Sequence, residues 1–357
     1  MKSPLRIFAG QRLTLLKLLR HKKFIFFIVA NIFYYRPVYA VDEHQLEQGD
    51  TLNKLWAFII QEGQRSEVQA FDGLKIDYYR YGDHCDGANV LIVPGWSEPY
   101  VKYAEVIFDL TQRHYCVYSF DHRGQGYRAR TLANSQISYV EHFSDYVKDY
   151  GSVVQAITQT QQVSRVFVIA HSMGGLVALA HAAEHRERFG GIVLTGPMLQ
   201  VNTGRWPYPM AYSIVSFMDW LGYGREYAIG QGDNQIKSFL QSDTTHSLNR
   251  FQMEQKLRQN QPQLLISGAS NHWLKTTFDY TDAFKANWGN IRQNILLIQA
   301  GEEKFVSNAA EDEFCQVVSH CTLLRISNSR HELLMEKDEI RNKVFEAIYK
   351  FFEDNQR

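Results

Sequence analysis

The chain has 357 residues, of which 45% are apolar and 21% charged; these proportions exclude a disordered polypeptide and indicate a globular protein with a substantial core. Its formal net charge is zero, yet residues 1–40 contain eight Lys or Arg and no acid, so the rest carries 30 basic and 38 acidic side chains. An acidic body lacks the basic surface that binds nucleic acid, and no nucleic-acid partner is expected.

The amino-terminal stretch has the order of a secretory signal. Basic residues precede an apolar run at residues 24–35, and V-Y-A at residues 38–40 supplies a site for cleavage after Ala40. The apolar run is shorter than the roughly 20 residues that a transmembrane helix needs. Because the basic region is long, an uncleaved membrane anchor is the alternative. We predict that residues 1–40 are a signal peptide or membrane anchor, and that the protein is exported to a bacterial periplasm or associated with a membrane.

Export changes the interpretation of the four cysteines. In an oxidising compartment, Cys315 and Cys321 can close a short loop, and Cys85 and Cys116 can pair at one edge of a sheet. The alternative is four free buried thiols. Neither pair has the spacing of metal ligands.

The elements of the body alternate between strands and helices. A helix is predicted at residues 46–60, followed by two strands at 67–71 and 74–81 around an Asp72-Gly73 turn, a dipeptide typical of hairpins. Further strands are predicted at 90–93, 116–120, 165–170, 191–194, 295–299 and 322–326, and helices near 100–113, 143–161, 173–185, 308–318 and 340–354. This alternation predicts the α/β class, with a mostly parallel central sheet flanked by helices.

The alternation stops in an aromatic-rich segment without buried-strand runs, residues 197–289. Because the segment separates two core strands, we predict a helical cap over the carboxyl ends of the sheet, where ligands bind in open α/β folds. The chain then divides into a first core part at 41–196, the cap, and a second core part at 290–357. Alternatively, the aromatic residues are ordinary core and contact no substrate.

A strand-to-helix junction at residues 166–175, V-F-V-I-A-H-S-M-G-G, is the centre of this organisation. A buried strand meets the small residues that begin a helix, so Ser172 lies on a sharp turn with its hydroxyl above the sheet, as in a nucleophile elbow. The alternative is that Ser172 only caps the helix. A nucleophilic serine needs a base to take its proton and a third group to orient the base.

Later loops supply candidates for both groups. His331 follows the last predicted strand and precedes the final helix, as expected for the base in the chain order serine, acid, histidine. The acid is expected after the preceding strand, where Glu302 and Glu303 are the candidates. Only one of these two glutamates can face His331.

Two backbone N–H groups are required to bind the oxyanion that develops on the substrate. Met173 directly follows the serine and supplies one. We predict Trp96 as the other, because it lies in the turn P-G-W-S-E after a core strand. A second glycine-rich turn, D-H-R-G-Q-G at residues 121–126, has the wrong spacing for a dinucleotide-binding loop.

Five segments together resemble the branch of the α/β-hydrolases that contains monoacylglycerol lipases, bacterial lysophospholipases and serine aminopeptidase-like enzymes. They are P-G-W-S-E-P-Y-V-K-Y-A-E at 94–105, F-D-H-R-G-Q-G at 120–126, H-F-S-D-Y-V-K-D at 142–149, A-H-S-M-G-G at 170–175 and S-R-H-E at 329–332. The resemblance covers about residues 66–354. It implies the α/β-hydrolase fold and makes residues 121–126 a structural turn beneath the site.

The resemblance also selects the acid. In this family the acid is the third residue after the glycine of a Gln-Gly pair, and matching that pair to Gln299-Ala300 selects Glu303. Three departures from the family pattern accompany this match: alanines at 170 and 300 replace glycines, Pro94 replaces a histidine, and glutamate replaces aspartate as the acid.

The sequence therefore predicts a serine ester hydrolase with a Ser172, His331 and Glu303 triad. No metal or cofactor is expected. The resemblance implies lysophospholipids or monoacylglycerols as substrates, with a membrane surface as a partner. The alternatives are a non-catalytic binding protein of the same fold and an exported aminopeptidase-like hydrolase. The latter would bind a substrate amine through acidic residues of the cap, for which Asp219, Glu226 and Asp233 are available.

Overall fold

A computed structural model describes residues 41–83, 85, 88–160, 165–185, 189–233 and 238–356 of the chain. The predicted signal, residues 1–40, lies outside them. The strands are β1 Gln64–Gln69, β2 Lys75–Tyr81, β3 Ala88–Val93, β4 Tyr115–Phe120, β5 Ile137–Ser138, β6 Val166–His171, β7 Phe189–Thr195, β8 Gly268–Ala269, β9 Ile295–Ala300 and β10 Cys321–Ile326. The α-helices are α1 Glu43–Glu47, α2 Gly49–Gln61, α3 Ala104–Thr111, α4 Ser144–Thr160, α5 Met173–Glu184, α6 Tyr208–Met218, α7 Leu248–Asn260, α8 Asn271–Phe284, α9 Asn308–Val317 and α10 Asp338–Asn355.

Eight strands form one sheet in the order β1-β2-β4-β3-β6-β7-β9-β10. The pairs from β4 to β10 are parallel, and the β1–β2 hairpin joins antiparallel through β2. Strands β4, β6 and β9 are buried along their whole length, because helices cover both faces of a parallel sheet. The predicted fold class is confirmed.

The amino-terminal helix differs from the prediction of one helix at 46–60. It is broken at Gln48, whose extended backbone, with ψ 111°, separates α1 from α2. Asp42 and Gln45 form a capping box that starts α1, and such reciprocal side-chain bonds to the backbone favour a short separate helix. Leu46, Leu52 and Leu55 pack with Met253 of α7.

Helices α6, α7 and α8 lie in the segment between β7 and β9, for which the sequence predicts a cap. Helices α6 and α8 pack together through Val215 and Phe278. The same segment also contains one short strand, because β8 pairs in parallel with β5. A two-residue strand is too short to produce a sequence pattern, and its pairing ties the cap segment to the core.

The four cysteines form two disulfides, Cys85–Cys116 and Cys315–Cys321, with Cα atoms 5.0 and 5.1 Å apart. The alternative of free thiols is therefore wrong. None of the helices in the described ranges combines the length and the apolar character needed to cross a bilayer.

Candidate active site

Ser172 lies between β6 and α5 with φ 51° and ψ −118°, a backbone conformation that non-glycine residues rarely adopt. Its N–H donates to the carbonyl of Thr195 at 3.1 Å, and its carbonyl accepts from the N–H of Met198 at 2.9 Å. A Cβ on Gly174 would lie 2.5 Å from the Val93 carbonyl oxygen and closer still to that of Pro94. Glycine is thus required where α5 begins against the end of β3. The hydrogen bonds to Thr195 and Met198 hold the strained backbone of Ser172 in place.

The carboxylate of Glu303 is fixed by four hydrogen bonds. Its Oε2 accepts from Nδ1 of His331 at 2.7 Å. Its Oε1 accepts from the backbone N–H groups of Lys304 at 2.9 Å, Phe305 at 2.7 Å and Val306 at 3.3 Å. The side chain is 1% exposed. Burial would raise the pKa of Glu303, but the bonds from His331 and the backbone outweigh it and hold that pKa below its ordinary value.

The carboxylate of Glu302, the other candidate acid, faces His246. This carboxylate is 45% exposed and lies 3.2 Å from Nε2 of His246. The backbone N–H of Glu302 donates to the carbonyl of Ser329 at 2.8 Å, and the Ser329 hydroxyl accepts from the N–H of Gly301 at 3.2 Å. These bonds join the loop after β9 to the loop after β10, which brings Glu303 and His331 together.

His331 lies beside the serine turn. Its ring is 4.7 Å from the ring of His171, the residue before Ser172, and 4.9 Å from that of Phe305. Nδ1 of His171 donates to the carbonyl of Thr195 at 2.8 Å. Burial lowers the pKa of His171 to about 4, so its ring is neutral next to His331.

The turn after β3 presents the N–H of Trp96. On either side of it, the N–H of Gly95 donates to Oε2 of Glu98 at 2.7 Å, and the N–H of Ser97 donates to Oε1 of Gln125. Among the hydrogen bonds of the described residues, none uses the N–H of Trp96 or of Met173. The two predicted oxyanion donors are therefore available for a ligand.

The glycine-rich turn at residues 121–126 forms hydrogen bonds with the turn after β3. Nε2 of His122 donates to the carbonyl of Pro94 at 2.9 Å, and Asp121 accepts from the backbone N–H groups of Tyr100 and Tyr127. Burial lowers the pKa of His122 to about 4 and raises that of Asp121 to about 6. The side chains of this turn thus fix the backbone that carries Trp96.

A buried ion cluster beside the site is absent from the sequence-based prediction. It contains Glu98, Lys102, Glu254 and Glu332, with Nζ of Lys102 between the carboxylates. Burial raises the pKa of Glu332 to about 7. The positive charge of Lys102 lowers that pKa, whereas the negative charges of Glu254 and Glu98 raise it further. The opposite charges of Glu98 and Lys102 at i and i+4 were the one signal in the sequence.

Two of the three acidic cap residues considered for a substrate amine already have partners. Asp219 accepts from Nδ1 of His272 at 2.9 Å, and Asp233 accepts from the hydroxyl of Tyr227 at 2.9 Å. Within the described ranges, no group of three or more His, Cys, Asp or Glu is placed to hold a metal ion.

Comparison with known proteins identifies the family. The family model described as serine aminopeptidase, S33, matches residues 85–338. The chain belongs to this family of α/β-hydrolases. Lysophospholipase L2 of Escherichia coli strain K12 is 32% identical over 299 residues, which cover 81% of this chain and 88% of that protein. The probable lysophospholipase L2 of Haemophilus influenzae is 27% identical over 263 residues, covering 73% and 82%.

Solved structures of other hydrolases share the fold of this S33 member. A soluble variant of monoglyceride lipase from Saccharomyces cerevisiae has a TM-score of 0.64 at 15% identity, covering 83% of this chain and 96% of that one. A carboxyl esterase from Bacillus coagulans has a TM-score of 0.63 at 18% identity, covering 82% and 99%. These structures show the α/β-hydrolase fold, and the sequence relatives together with the family match make this chain an ester hydrolase of that class.

Proposed function

We propose that this protein releases fatty acid from lysophospholipids or monoacylglycerols through Ser172, His331 and Glu303. The observation that carries the proposal is the hydrogen bond between Glu303 and Nδ1 of His331, formed beside a serine on a strained strand-to-helix turn. Single-chain lipid esters also fit the names of the sequence relatives, which are lysophospholipases and monoglyceride lipases.

The chemistry follows from this geometry. Because Nδ1 of His331 donates to Glu303, Nε2 carries the lone pair and takes the proton as the hydroxyl oxygen of Ser172 attacks the ester carbonyl. The carbonyl oxygen becomes an oxyanion that accepts from the N–H groups of Trp96 and Met173, each donor contributing roughly 3 kcal/mol. His331 then gives its proton to the leaving alcohol. Water, activated by the same nitrogen, releases the fatty acid and restores the serine.

An apolar cavity in the cap supports a substrate with an acyl chain. Its volume is about 270 Å³, near the roughly 300 Å³ lower limit for small-molecule pockets. It is lined mainly by apolar side chains, among them Val201, Trp206, Ile214, Val215, Leu274 and Phe278. Residues 201–203 also line a neighbouring cavity of about 300 Å³ that reaches Glu303. The apolar cavity and the cavity beside Glu303 thus share residues 201–203 as a common wall.

We further propose that the cap contacts a lipid bilayer. Four apolar side chains at the end of α6 and in the turn after it are strongly exposed: Phe217 57%, Trp220 78%, Leu221 46% and Tyr223 52%. Aromatic residues of this kind favour the membrane–water interface, and the nearby exposed Arg225 adds positive charge for anionic lipids.

Export is part of the same proposal. In residues 1–40 a basic region precedes an apolar run, and this order supports a secretory signal. The two disulfides are typical of proteins in an oxidising compartment. Alkaline phosphatase fused after residue 60 should be active in a bacterial host. An inactive fusion that accumulates in the cytosol would contradict export.

The test of the activity is release of free fatty acid by the purified full chain from lysophosphatidylcholine and from monoacylglycerol vesicles. Ser172→Ala is the control, and a fluorophosphonate probe should label the wild type but not this variant. The double variant Phe217→Ser with Trp220→Ser should lose activity on vesicles while keeping that on a soluble short-chain ester.

Other outcomes identify the alternatives. Release from aminoacyl p-nitroanilides with no release from either lipid would favour the peptidase. A folded wild-type protein that the probe does not label would favour a binding protein. Serine-dependent release of fatty acid, by contrast, would establish the ester hydrolase, and the ratio of the two rates would give its head-group preference.

A further inference from the structure

Lys102 is a cation buried among three carboxylates, with only 4% of its side chain exposed. Its Nζ lies 2.6 Å from Oε1 of Glu98, 2.8 Å from Oε1 of Glu332 and 3.5 Å from Oε2 of Glu254. The contact with Glu98 is a hydrogen bond, and the other two carboxylates lie within ion-pair distance of the same ammonium group. A buried charge of this kind is tolerated only where such partners replace water.

The three carboxylates belong to three different parts of the candidate site. Glu98 follows the oxyanion turn, and its Oε2 accepts both the N–H of Gly95 at 2.7 Å and the hydroxyl of Tyr103 at 2.5 Å. Glu332 directly follows His331 in the chain. Glu254 lies on α7 of the cap, where it also binds Arg258 at 2.7 Å.

The contacts form a short connection between the oxyanion donors and the base. On one side, Nζ of Lys102 forms an ion pair with Glu332, the residue after His331. On the other side, it forms an ion pair with Glu98, which accepts a hydrogen bond from the N–H of Gly95, the residue before Trp96. His171, the residue before the serine, has its Nε2 3.9 Å from the same Glu98 carboxylate.

We propose that Lys102 is a positioning residue that holds the oxyanion turn and the His331 loop in register, with the cap attached through Glu254. The inference rests on the proposed function. Donors to an oxyanion act in the transition state and not on the bound ester, so a misplaced turn lowers kcat more than it raises KM. A displacement of about 1 Å can cost about 100-fold in rate.

A residue that serves only stability provides the matched control. Arg341 is likewise a buried cation between carboxylates, 2.7 Å from Asp109 and 3.5 Å from Glu105, and its Nε donates to the carbonyl of Leu334 at 3.0 Å, outside residues 94–98 and 329–332. Arg341→Met should therefore lower the melting temperature as Lys102→Met does, while leaving kcat close to that of the wild type.

The first measurement is kcat and KM of the full chain on p-nitrophenyl butyrate, below the melting temperature of every variant. We expect Lys102→Met to lower kcat about 10- to 100-fold with KM changed less than about threefold, and Lys102→Arg to recover most of the loss. An unchanged kcat in Lys102→Met, or an equal fall in Arg341→Met, would overturn the proposal.

The second measurement does not depend on turnover. Hydrogen–deuterium exchange should be faster in Lys102→Met in peptides that cover residues 94–98 and 329–332, and unchanged there in Arg341→Met. Inactivity of the wild type would contradict the proposed function, whereas unchanged exchange in both peptides would contradict the role of Lys102. If Lys102→Met does not fold, Glu332→Gln should still speed exchange at 329–332, and wild-type exchange there would overturn the proposal.

Discussion

The Oε2 atom of Glu303 lies 2.7 Å from Nδ1 of His331, and three successive backbone N–H groups bind the other oxygen of the same carboxylate. The Glu303 carboxylate is therefore oriented by its own loop as well as by the histidine. This orientation permits one tautomer of His331, with the proton on Nδ1, and determines the result of changing the acid.

Glu303→Gln should reverse that tautomer. The three backbone donors retain the amide oxygen, so the amide NH2 faces Nδ1 and places the histidine proton on Nε2, where it blocks the base. We expect kcat to fall about 10³- to 10⁴-fold. Glu302→Gln, at an exposed position, should change it less than about twofold. Ester hydrolysis by both variants measures this, and the opposite order would transfer the role of the acid to Glu302.

Gly174→Ala should disrupt the serine turn. The new Cβ would meet the carbonyl oxygens of Val93 and Pro94, which are backbone atoms and cannot rotate away. Overpacking of this kind costs about 1–3 kcal/mol, and it would displace the oxyanion turn as well. Denaturant unfolding and fluorophosphonate labelling measure both effects. Gly289→Ala, whose Cβ has no heavy atom within 4 Å, is the control and should be neutral; equal behaviour of the two variants would refute the steric argument.

Acid should destabilise the protein partly through His122. Burial lowers the pKa of His122 from 6.5 to about 4, so below pH 6.5 the unfolded chain takes up a proton that the folded protein does not. Stability is then lost as pH falls from about 6.5 to 4, by about 1.4 kcal/mol per pH unit.

His122→Gln keeps a donor for the carbonyl of Pro94 but removes the titration. Between pH 7 and pH 5 it should lose about 2 kcal/mol less free energy of unfolding than the wild type. Urea unfolding at both pH values measures the difference, with the exposed His320→Gln as control. Equal losses in wild type and His122→Gln would show that His122 contributes nothing to the acid sensitivity.

The two disulfides should differ in their contribution to stability. They join residues 31 and 6 positions apart, and the longer loop restricts the unfolded chain more. Replacing both cysteines by alanine should cost about 4 kcal/mol for Cys85–Cys116 and about 2 kcal/mol for Cys315–Cys321. Unfolding of each variant in denaturant tests this, and a larger loss at the shorter loop would contradict the entropic account.

Local patterns in the sequence determined the parts of this protein that depend on neighbouring residues. The buried strand followed by Gly174 and Gly175 predicts the turn at Ser172, and the structure has that turn with a positive φ. The Asp72-Gly73 hairpin and the alternation of strands and helices are likewise short-range signals. They were sufficient for the fold class, because each element buries its own apolar face.

Tertiary structure alone decided the relationships between distant residues. The residue pattern left Glu302 and Glu303 as alternatives, and the resemblance selected Glu303. In the structure, the hydrogen bonds between the loops after β9 and β10 turn Glu303, and not Glu302, toward His331. Partners for Lys102 come from positions 4, 152 and 230 residues away along the chain. Sequence spacing signals the contact with Glu98 but cannot predict the other two, because they form only after the sheet has brought separate loops to one edge.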